Sequence, residues 1–316
     1  MKRTLLLALV IILALFTAAC GDKETINVDK QKKDNKIQIY TTVYPLQYFA
    51  ERIGGDAVQV SSIYPAGSNE HTFEPTQKDM MTLADADLFF YIGLGLEGFV
   101  ENAKKTLENE HVKMVATADA VPKDELEANT HEHEEDDDDH DHGKIDPHVW
   151  ISPQISQDLA LSIKDSLVEG APEQKEQFEK NYEALIAQLK ELDAVYKEMA
   201  RNAPNKTFFV SHAAFGYLAH EYGLEQVAVA GLNSQDEPSQ KQLTKIIDLA
   251  KEKDIKYILF EQNVSSKLTG VIQKELNAKS LVLHNLGVLS KKDIENNETY
   301  FTLMNKNLET LKTALN

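Results

Sequence analysis

The chain has 316 residues, of which 51 are acidic and 33 basic, giving a formal net charge of -18. Nucleic acid and anionic membrane surfaces attract basic patches, so this balance argues against both as partners. The single cysteine excludes an internal disulfide. Behind the N-terminal leader about 280 residues remain, enough for one large domain or two lobes with cores of their own.

The N-terminal stretch MKRTLLLALVIILALFTAAC has the pattern of a secretory signal. Its apolar run, Leu5 to Phe16, is shorter than the ~20 residues that a membrane-spanning helix needs. We therefore predict a signal peptide over residues 1–19. The small residues before Cys20 resemble a bacterial lipobox, which predicts that Cys20 carries lipid, palmitate included, and begins a polar tether, residues 20–36. The alternative is an ordinary signal peptide with an incidental cysteine.

Short apolar runs then alternate with helical patterns, which is typical of a mostly parallel sheet covered by helices. We predict an N-terminal α/β lobe over residues 37–121. Its strands are expected over residues 36–43, 57–64, 87–93 and 112–117. Residues 122–146 lose the apolar periodicity and are predicted to form an acidic, His-rich loop. A connecting segment, residues 147–171, follows.

The next region predicts one long linking helix, residues 172–203. Its apolar residues recur at alternating spacings of four and three, which places them in one stripe: Phe178, Tyr182, Leu185, Leu189, Leu192, Tyr196 and Met199. At ~1.5 Å per residue the helix would be about 45 Å long. A helical hairpin or a coiled-coil partner is the alternative, although no Gly or Pro interrupts the pattern before Pro204.

A second set of apolar runs predicts a C-terminal α/β lobe over residues 204–316. Its strands are expected over residues 207–211, 226–231, 256–261 and 279–284. The predicted fold class is therefore α/β, with two lobes, each a mostly parallel four-stranded sheet with flanking helices, joined by the linking helix.

Candidate metal ligands stand where this fold places ligand sites, beyond the carboxyl ends of strands. His71 follows the second predicted strand, His148 lies in DPHVWISP, and His212 follows the fifth. Glu261 and His284 end the seventh and eighth strands. Three imidazoles with a carboxylate or water suit Zn(II), whereas more oxygen ligands favour Mn(II). For each histidine taken alone, a capping or packing role is the alternative.

Four stretches resemble, in order, the motifs of the metal-binding solute receptors of bacterial ABC importers, specifically the zinc-uptake branch. They are NEHTFEPTQKD, DPHVWISP, SHAAFGYLAHEYGL and GLNSQDEPS. The resemblance covers nearly the whole mature chain and implies two lobes bridged by one backbone helix with a metal in the cleft. It also implies a receptor, not an enzyme, that has an ABC permease as partner, and we expect a monomer. Lipid on Cys20 favours the outer face of a Gram-positive cell membrane as its location.

The resemblance implies three histidine ligands, which correspond to His71, His148 and His212. Manganese receptors tend to have Glu at the position of His212, so the resemblance favours zinc, with manganese as the alternative. The family's fourth ligand is usually a carboxylate just after the last strand, where this chain has Gly287. His284, Glu70 or a water molecule are the possible substitutes.

Twelve consecutive His, Asp or Glu residues form an auxiliary candidate metal site, whose histidines are His131, His133, His140 and His142. Their charge and lack of apolar residues predict disorder, so each ion should bind more weakly there than in a formed cleft. The zinc branch is similar in carrying such a loop, which implies a collecting or sensing role. A merely solvated acidic loop is the alternative.

A secreted zinc hydrolase is the alternative from another class, since three histidines can leave a fourth position open to activate water. The sequence contains neither the H-E-x-x-H pattern nor G-x-S-x-G. We therefore expect a binding protein.

Overall fold

The computed structural model describes residues 36–127, 145–263 and 267–316. Several predicted features lie outside these residues. They are the signal peptide, the tether up to residue 35, and the side chains of Cys20, His131, His133, His140 and His142. Among the residues that are described, no helix is both long and apolar enough to cross a membrane.

The first sheet is parallel and has the strand order β2-β1-β3-β4. Its strands are β1 (Ile37–Thr41), β2 (Val58–Ser62), β3 (Leu88–Tyr91) and β4 (Lys113–Ala116). Its helices are α1 (Tyr44–Gly54), α2 (Gln77–Ala84), α3 (Val100–Thr106) and α4 (Lys123–Glu127). Interior strand β3 reads LFFY and is buried at every position, as expected for a parallel strand covered on both faces.

Helix α4 occupies the beginning of the segment that the sequence predicted as a loop from residue 122. Pro122 precedes its first turn, and its carbonyl accepts the N–H of Glu125 at 3.1 Å. Leu126 is buried. One apolar residue in a charged stretch gives no periodicity, which explains why the sequence pattern missed this short helix.

Helix α5 (Ile155–Gly170) and a 3₁₀ turn (Pro172–Gln174) lead into the linking helix α6 (Lys175–Asn202). The predicted single helix is confirmed, and the hairpin alternative is wrong. Six stripe residues are buried: Phe178, Leu185, Leu189, Leu192, Tyr196 and Met199. Tyr182 is half-buried, with the Lys164 ammonium 5.6 Å from its ring centroid.

The second sheet is also parallel and has the order β6-β5-β7-β8. Its strands are β5 (Thr207–His212), β6 (Glu225–Ala230), β7 (Tyr257–Phe260) and β8 (Lys279–Val282). Its helices are α7 (Gly216–Glu221), α8 (Gln240–Glu252), α9 (Lys267–Glu275), α10 (Lys291–Glu295) and α11 (Tyr300–Ala314). The predicted fold class is confirmed.

The two halves are fastened to each other as well as linked through α6. The segment after β8 returns to the first half, where the backbone N–H of Tyr44 donates to the Gly287 carbonyl at 2.9 Å. The Gly67 N–H donates to the Leu289 carbonyl, also at 2.9 Å. One hydrophobic core contains side chains of both sheets and of α6. Large hinge motion between the halves would therefore have to break buried contacts.

Candidate metal centre

Three imidazoles meet between the carboxyl ends of the two sheets. His71 lies in the loop after β2, His148 directly precedes a 3₁₀ turn (Val149–Ile151), and His212 ends β5. One ring nitrogen of each lies within 4.8 Å of those of the other two. Their ring centroids are 5.1, 5.0 and 4.9 Å apart. We call these residues the histidine cluster; among the described residues it is the only group of three or more His, Cys, Asp or Glu so arranged.

His148 is oriented by the carboxylate of Asp146. Its ring Nδ1 donates to Asp146 Oδ1 at 2.7 Å, and its backbone N–H donates to the same oxygen at 2.9 Å. Both side chains are fully buried. Because the proton on Nδ1 is held by Asp146, Nε2 is the nitrogen that faces the site, 3.1 Å from Nε2 of His71.

His212 is held from behind by Glu261. Its Nδ1 donates to Glu261 Oε2 at 3.0 Å, and its Nε2 donates to the Leu232 carbonyl at 3.0 Å. Burial lowers the pKa of this imidazole, but the charge and the hydrogen bond of Glu261 outweigh it and raise the pKa of His212 to about 9. The Ser211 hydroxyl fixes the other carboxylate oxygen of Glu261 at 3.0 Å.

His71 has the opposite electrostatic environment. Burial, assisted by repulsion from the other two imidazoles, lowers the pKa of His71 to about 2. Its ring is therefore neutral at pH 7, which is the form that binds a metal. The side chain of Asn69 accepts the His71 backbone N–H at 2.9 Å and so fixes the loop.

The carboxylate of Glu70 fills the space beside Gly287. A Cβ atom on Gly287 would lie 2.6 Å from Glu70 Oε1 and 2.8 Å from its Cδ. Oε1 accepts a hydrogen bond from Asn285 Nδ2 at 2.9 Å, and the same amide donates to Glu261 at 3.0 Å. Oε2 is buried and has no hydrogen-bond partner among the described residues. Burial raises the pKa of Glu70, an effect that nearby His148 and His212 oppose.

His284 lies outside the histidine cluster. Its Nδ1 accepts the backbone N–H of Leu286 at 2.9 Å and the amide of Gln262 at 2.8 Å. Its Nε2 donates to Asp293 at 3.3 Å. Both ring nitrogens are thus used to fix the segment that follows β8.

Sequence reasoning did not single out Asp146 or Leu232 as neighbours of the histidine cluster. Asp146 could have been recognised, because an acid two residues before a candidate histidine ligand is well placed to hold its ring. Leu232 contributes only its backbone carbonyl, a group that every residue has, so the sequence could not have indicated it.

Two α/β halves, each with a parallel sheet, surround a histidine cluster in which His148 and His212 are buried and His71 is half-buried. This is the architecture of a metal-binding solute receptor. Residues 39–314 match the family described as zinc-uptake complex component A, periplasmic, or ZnuA. The chain belongs to this family, and the family predicted from the sequence motifs is confirmed.

Two relatives and one solved structure show how far the similarity extends. The high-affinity zinc uptake system protein ZnuA of Bacillus subtilis is 40% identical over 301 residues, covering 95% of this chain and 94% of that protein. The zinc-binding lipoprotein AdcA of Streptococcus pneumoniae is 38% identical over 302 residues, and the match covers 95% of this chain but only 58% of AdcA. The crystal structure of the Zn(II)-bound ZnuA-like domain of that AdcA has a TM-score of 0.71 at 37% identity, covering 89% of this chain and 99% of the domain.

Proposed function

We propose that this protein is an extracytoplasmic receptor that binds Zn(II) and delivers it to an ABC permease. The observation that carries this proposal is the histidine cluster, with three ring nitrogens within 4.8 Å of one another. Family membership supports it, because the relatives described above are named for zinc uptake or zinc binding.

In this proposal the Nε2 atoms of His71, His148 and His212 bind the ion. Imidazole nitrogens suit Zn(II). Asp146 and Glu261 support the assignment, because metal-binding histidines usually donate their other ring N–H to a carboxylate that orients the ring. The same arrangement disfavours Mn(II), which prefers sites with more oxygen ligands.

Glu70 is our candidate side chain for the fourth ligand, with water as the alternative. Its carboxylate stands outside the histidine cluster, but it fills the space beside Gly287, and its Oε2 has no competing hydrogen bond among the described residues. The carboxylate would therefore have to move toward the histidines when zinc binds. His284 is less suitable, because both of its ring nitrogens are engaged elsewhere. A carboxylate in the fourth position would close the coordination shell, as in a site that only binds the metal. Metal-assisted hydrolysis instead needs an open position where water can bind.

Release follows from how the ligands are distributed. His71 is attached to the first sheet and His212 to the second, so the shell is complete only while the two halves keep their relative position. A permease that separates the halves slightly would remove ligands and free the ion. The buried contacts between the halves support a site that stays preformed until then.

We also propose that the N-terminal residues hold the protein at the outer face of a Gram-positive cell membrane. Residues 1–19 would direct export, and lipid on Cys20 would tether a monomer near its permease. The histidines of the acidic run would collect zinc for the cleft. The presence of lipoproteins among its relatives supports the anchoring.

The test measures metal binding by the chain from residue 21 and by three variants. The proposal predicts one tight Zn(II) site that His212→Ala abolishes and that deletion of residues 131–142 retains. His111→Ala is the matched control, because this exposed imidazole stands outside the histidine cluster. Loss of tight binding on the loop deletion would place the primary site elsewhere, and preferential binding of Mn(II) would contradict the assignment of zinc.

The transport step needs a separate measurement in cells. A strain that lacks the gene should require more zinc for growth, and the intact gene should restore growth at low zinc while His212→Ala should not. Equal rescue by His212→Ala would contradict a role of this site in uptake.

A further inference from the structure

Besides the contact between Asn285 and Glu70, a second side-chain hydrogen bond joins the two halves near the histidine cluster. Asn69 Nδ2 donates to the Ser234 hydroxyl at 3.0 Å. Asn69 belongs to the loop of His71, whose backbone N–H it accepts. Ser234 is 7% exposed and belongs to the segment between β6 and α8. We call this contact the interlobe latch.

The partner of Asn69 sits on a short closed turn, residues 231–236. The Gly231 N–H donates to the Asp236 carbonyl at 3.1 Å, and the Asp236 N–H donates to the Asn233 carbonyl at 2.9 Å. The turn is fastened to the end of β5, because the Ala213 N–H donates to the Gly231 carbonyl at 3.2 Å. With both ends tied together, Leu232 and Ser234 are expected to move as one unit.

The backbone carbonyl of Leu232 contacts Nε2 of His212, the nitrogen proposed to bind zinc. This carbonyl accepts the Nε2–H of His212 at 3.0 Å, while Glu261 takes the Nδ1–H. A zinc ion bound to a histidine nitrogen lies ~2.0–2.1 Å from it. An ion on Nε2 would therefore stand within the 3.0 Å that separates this nitrogen from the Leu232 oxygen. The carbonyl has to withdraw before zinc can bind there.

We propose that Asn69 and Ser234 are positioning residues whose latch holds Leu232 against His212 and thereby opposes zinc binding. This inference rests on the proposed function and adds to it an element that controls zinc loading. The latch acts in the metal-free protein while the two halves keep their relative position, because separation of the halves would break the contact between Asn69 and Ser234. It therefore slows zinc association and lowers the affinity without acting on release.

Ser234→Ala tests the latch by removing the acceptor of the Asn69 amide. Zinc should associate about 2- to 10-fold faster with this variant, the range given by one neutral hydrogen bond, while the dissociation rate constant stays the same. Ser234→Thr keeps the hydroxyl and should restore the parent rate. A merely structural role of Ser234 would instead speed zinc dissociation or lower the affinity.

Both rates can be measured by stopped flow. A zinc-responsive dye reports association, and excess chelator drives dissociation. Trp150, the only tryptophan of the chain, gives a second readout because its ring lies 5.4 Å from that of His148. An association rate unchanged by Ser234→Ala would overturn the latch.

A double-substitution cycle shows whether the two residues act through one contact. Asn69→Ala removes the latch and also the acceptor of the His71 N–H, so the informative comparison is made within that background. Adding Ser234→Ala to Asn69→Ala should have no further effect on the association rate. Independent, multiplying effects would refute the latch. If the parent chain bound no zinc at all, the proposed function would fail, an outcome distinct from failure of the latch alone.

Discussion

Replacement of Gly287 by alanine tests whether Glu70 completes the zinc site. The added Cβ atom would stand 2.6 Å from Glu70 Oε1, well inside normal contact, so the carboxylate has to leave its place. The backbone poses no obstacle, because Gly287 is not among the residues with positive φ. The substitution therefore changes the position of one buried carboxylate and adds only a methyl group.

The size of the effect follows from the loss of a group that holds the metal site. Displacement of the carboxylate also breaks its hydrogen bond from Asn285 Nδ2, 2.9 Å long, which supports the site. Loss of such a supporting group typically costs about 10- to 100-fold in metal affinity, so zinc affinity should fall by at least roughly this factor. Competition with a chelator of known affinity measures the change.

Two controls separate a lost ligand from general damage. Gly98→Ala introduces a methyl group where no heavy atom lies within 4 Å, so it should leave both stability and zinc affinity unchanged. In a Glu70→Ala background, Gly287→Ala should cause no further loss, because nothing remains to displace. Zinc binding as tight as that of the parent in Gly287→Ala would refute the assignment of Glu70 and favour water in the fourth position.

Three further predictions concern pH and stability. Zinc affinity should rise about tenfold per pH unit up to about pH 9, because His212, whose pKa is raised to about 9, must lose a proton on binding; a flat profile in competition titrations would contradict this. The stability of the zinc-free protein should instead fall as pH rises. Because the folded-state pKa of His212 is raised, its contribution to the free energy of unfolding is fully present below the ordinary pKa of 6.5 and is lost as pH rises through about 9. Urea unfolding at several pH values measures this loss. Glu97→Gln should lower the free energy of unfolding by about 1–3 kcal/mol, because the NH₂ group of the new glutamine would face the Gly93 N–H, which now donates to Glu97 at 3.0 Å. Zinc affinity should stay unchanged, and an unaltered unfolding midpoint would contradict the prediction.

Local patterns in the sequence predicted most of the fold. Strand β3 (LFFY) and strand β5 (TFFVSH) are buried at every position, so each contains a continuous apolar run, LFFY in β3 and FFV in β5. The linking helix shows a helical period because one face packs against the core while the other faces water. The order of strands within each sheet was not predicted, because it depends on contacts between segments far apart in sequence.

The candidate site was only partly accessible from the sequence. The histidines could be proposed because strand ends and motifs mark them. The partnership of Glu70 with Asn285 joins residues 215 positions apart, and no local pattern encodes it. Glu70 could be suggested as a neighbour of His71, but the position of its carboxylate beside Gly287 became evident only from the structure.

Each half contains a buried glutamate that accepts a hydroxyl hydrogen bond, and the two glutamates are used differently. Glu97 follows β3 and accepts the Thr42 hydroxyl at 2.8 Å, while Glu261 follows β7 and accepts the Ser211 hydroxyl at 3.0 Å. The remaining hydrogen bonds of Glu97 come from two backbone N–H groups just after its strand, so its charge fixes the chain. Glu261 instead takes the ring N–H of His212, so its charge orients a proposed zinc ligand. Substitution of Glu261 by glutamine should therefore weaken zinc binding, whereas the same change at Glu97 should affect stability alone.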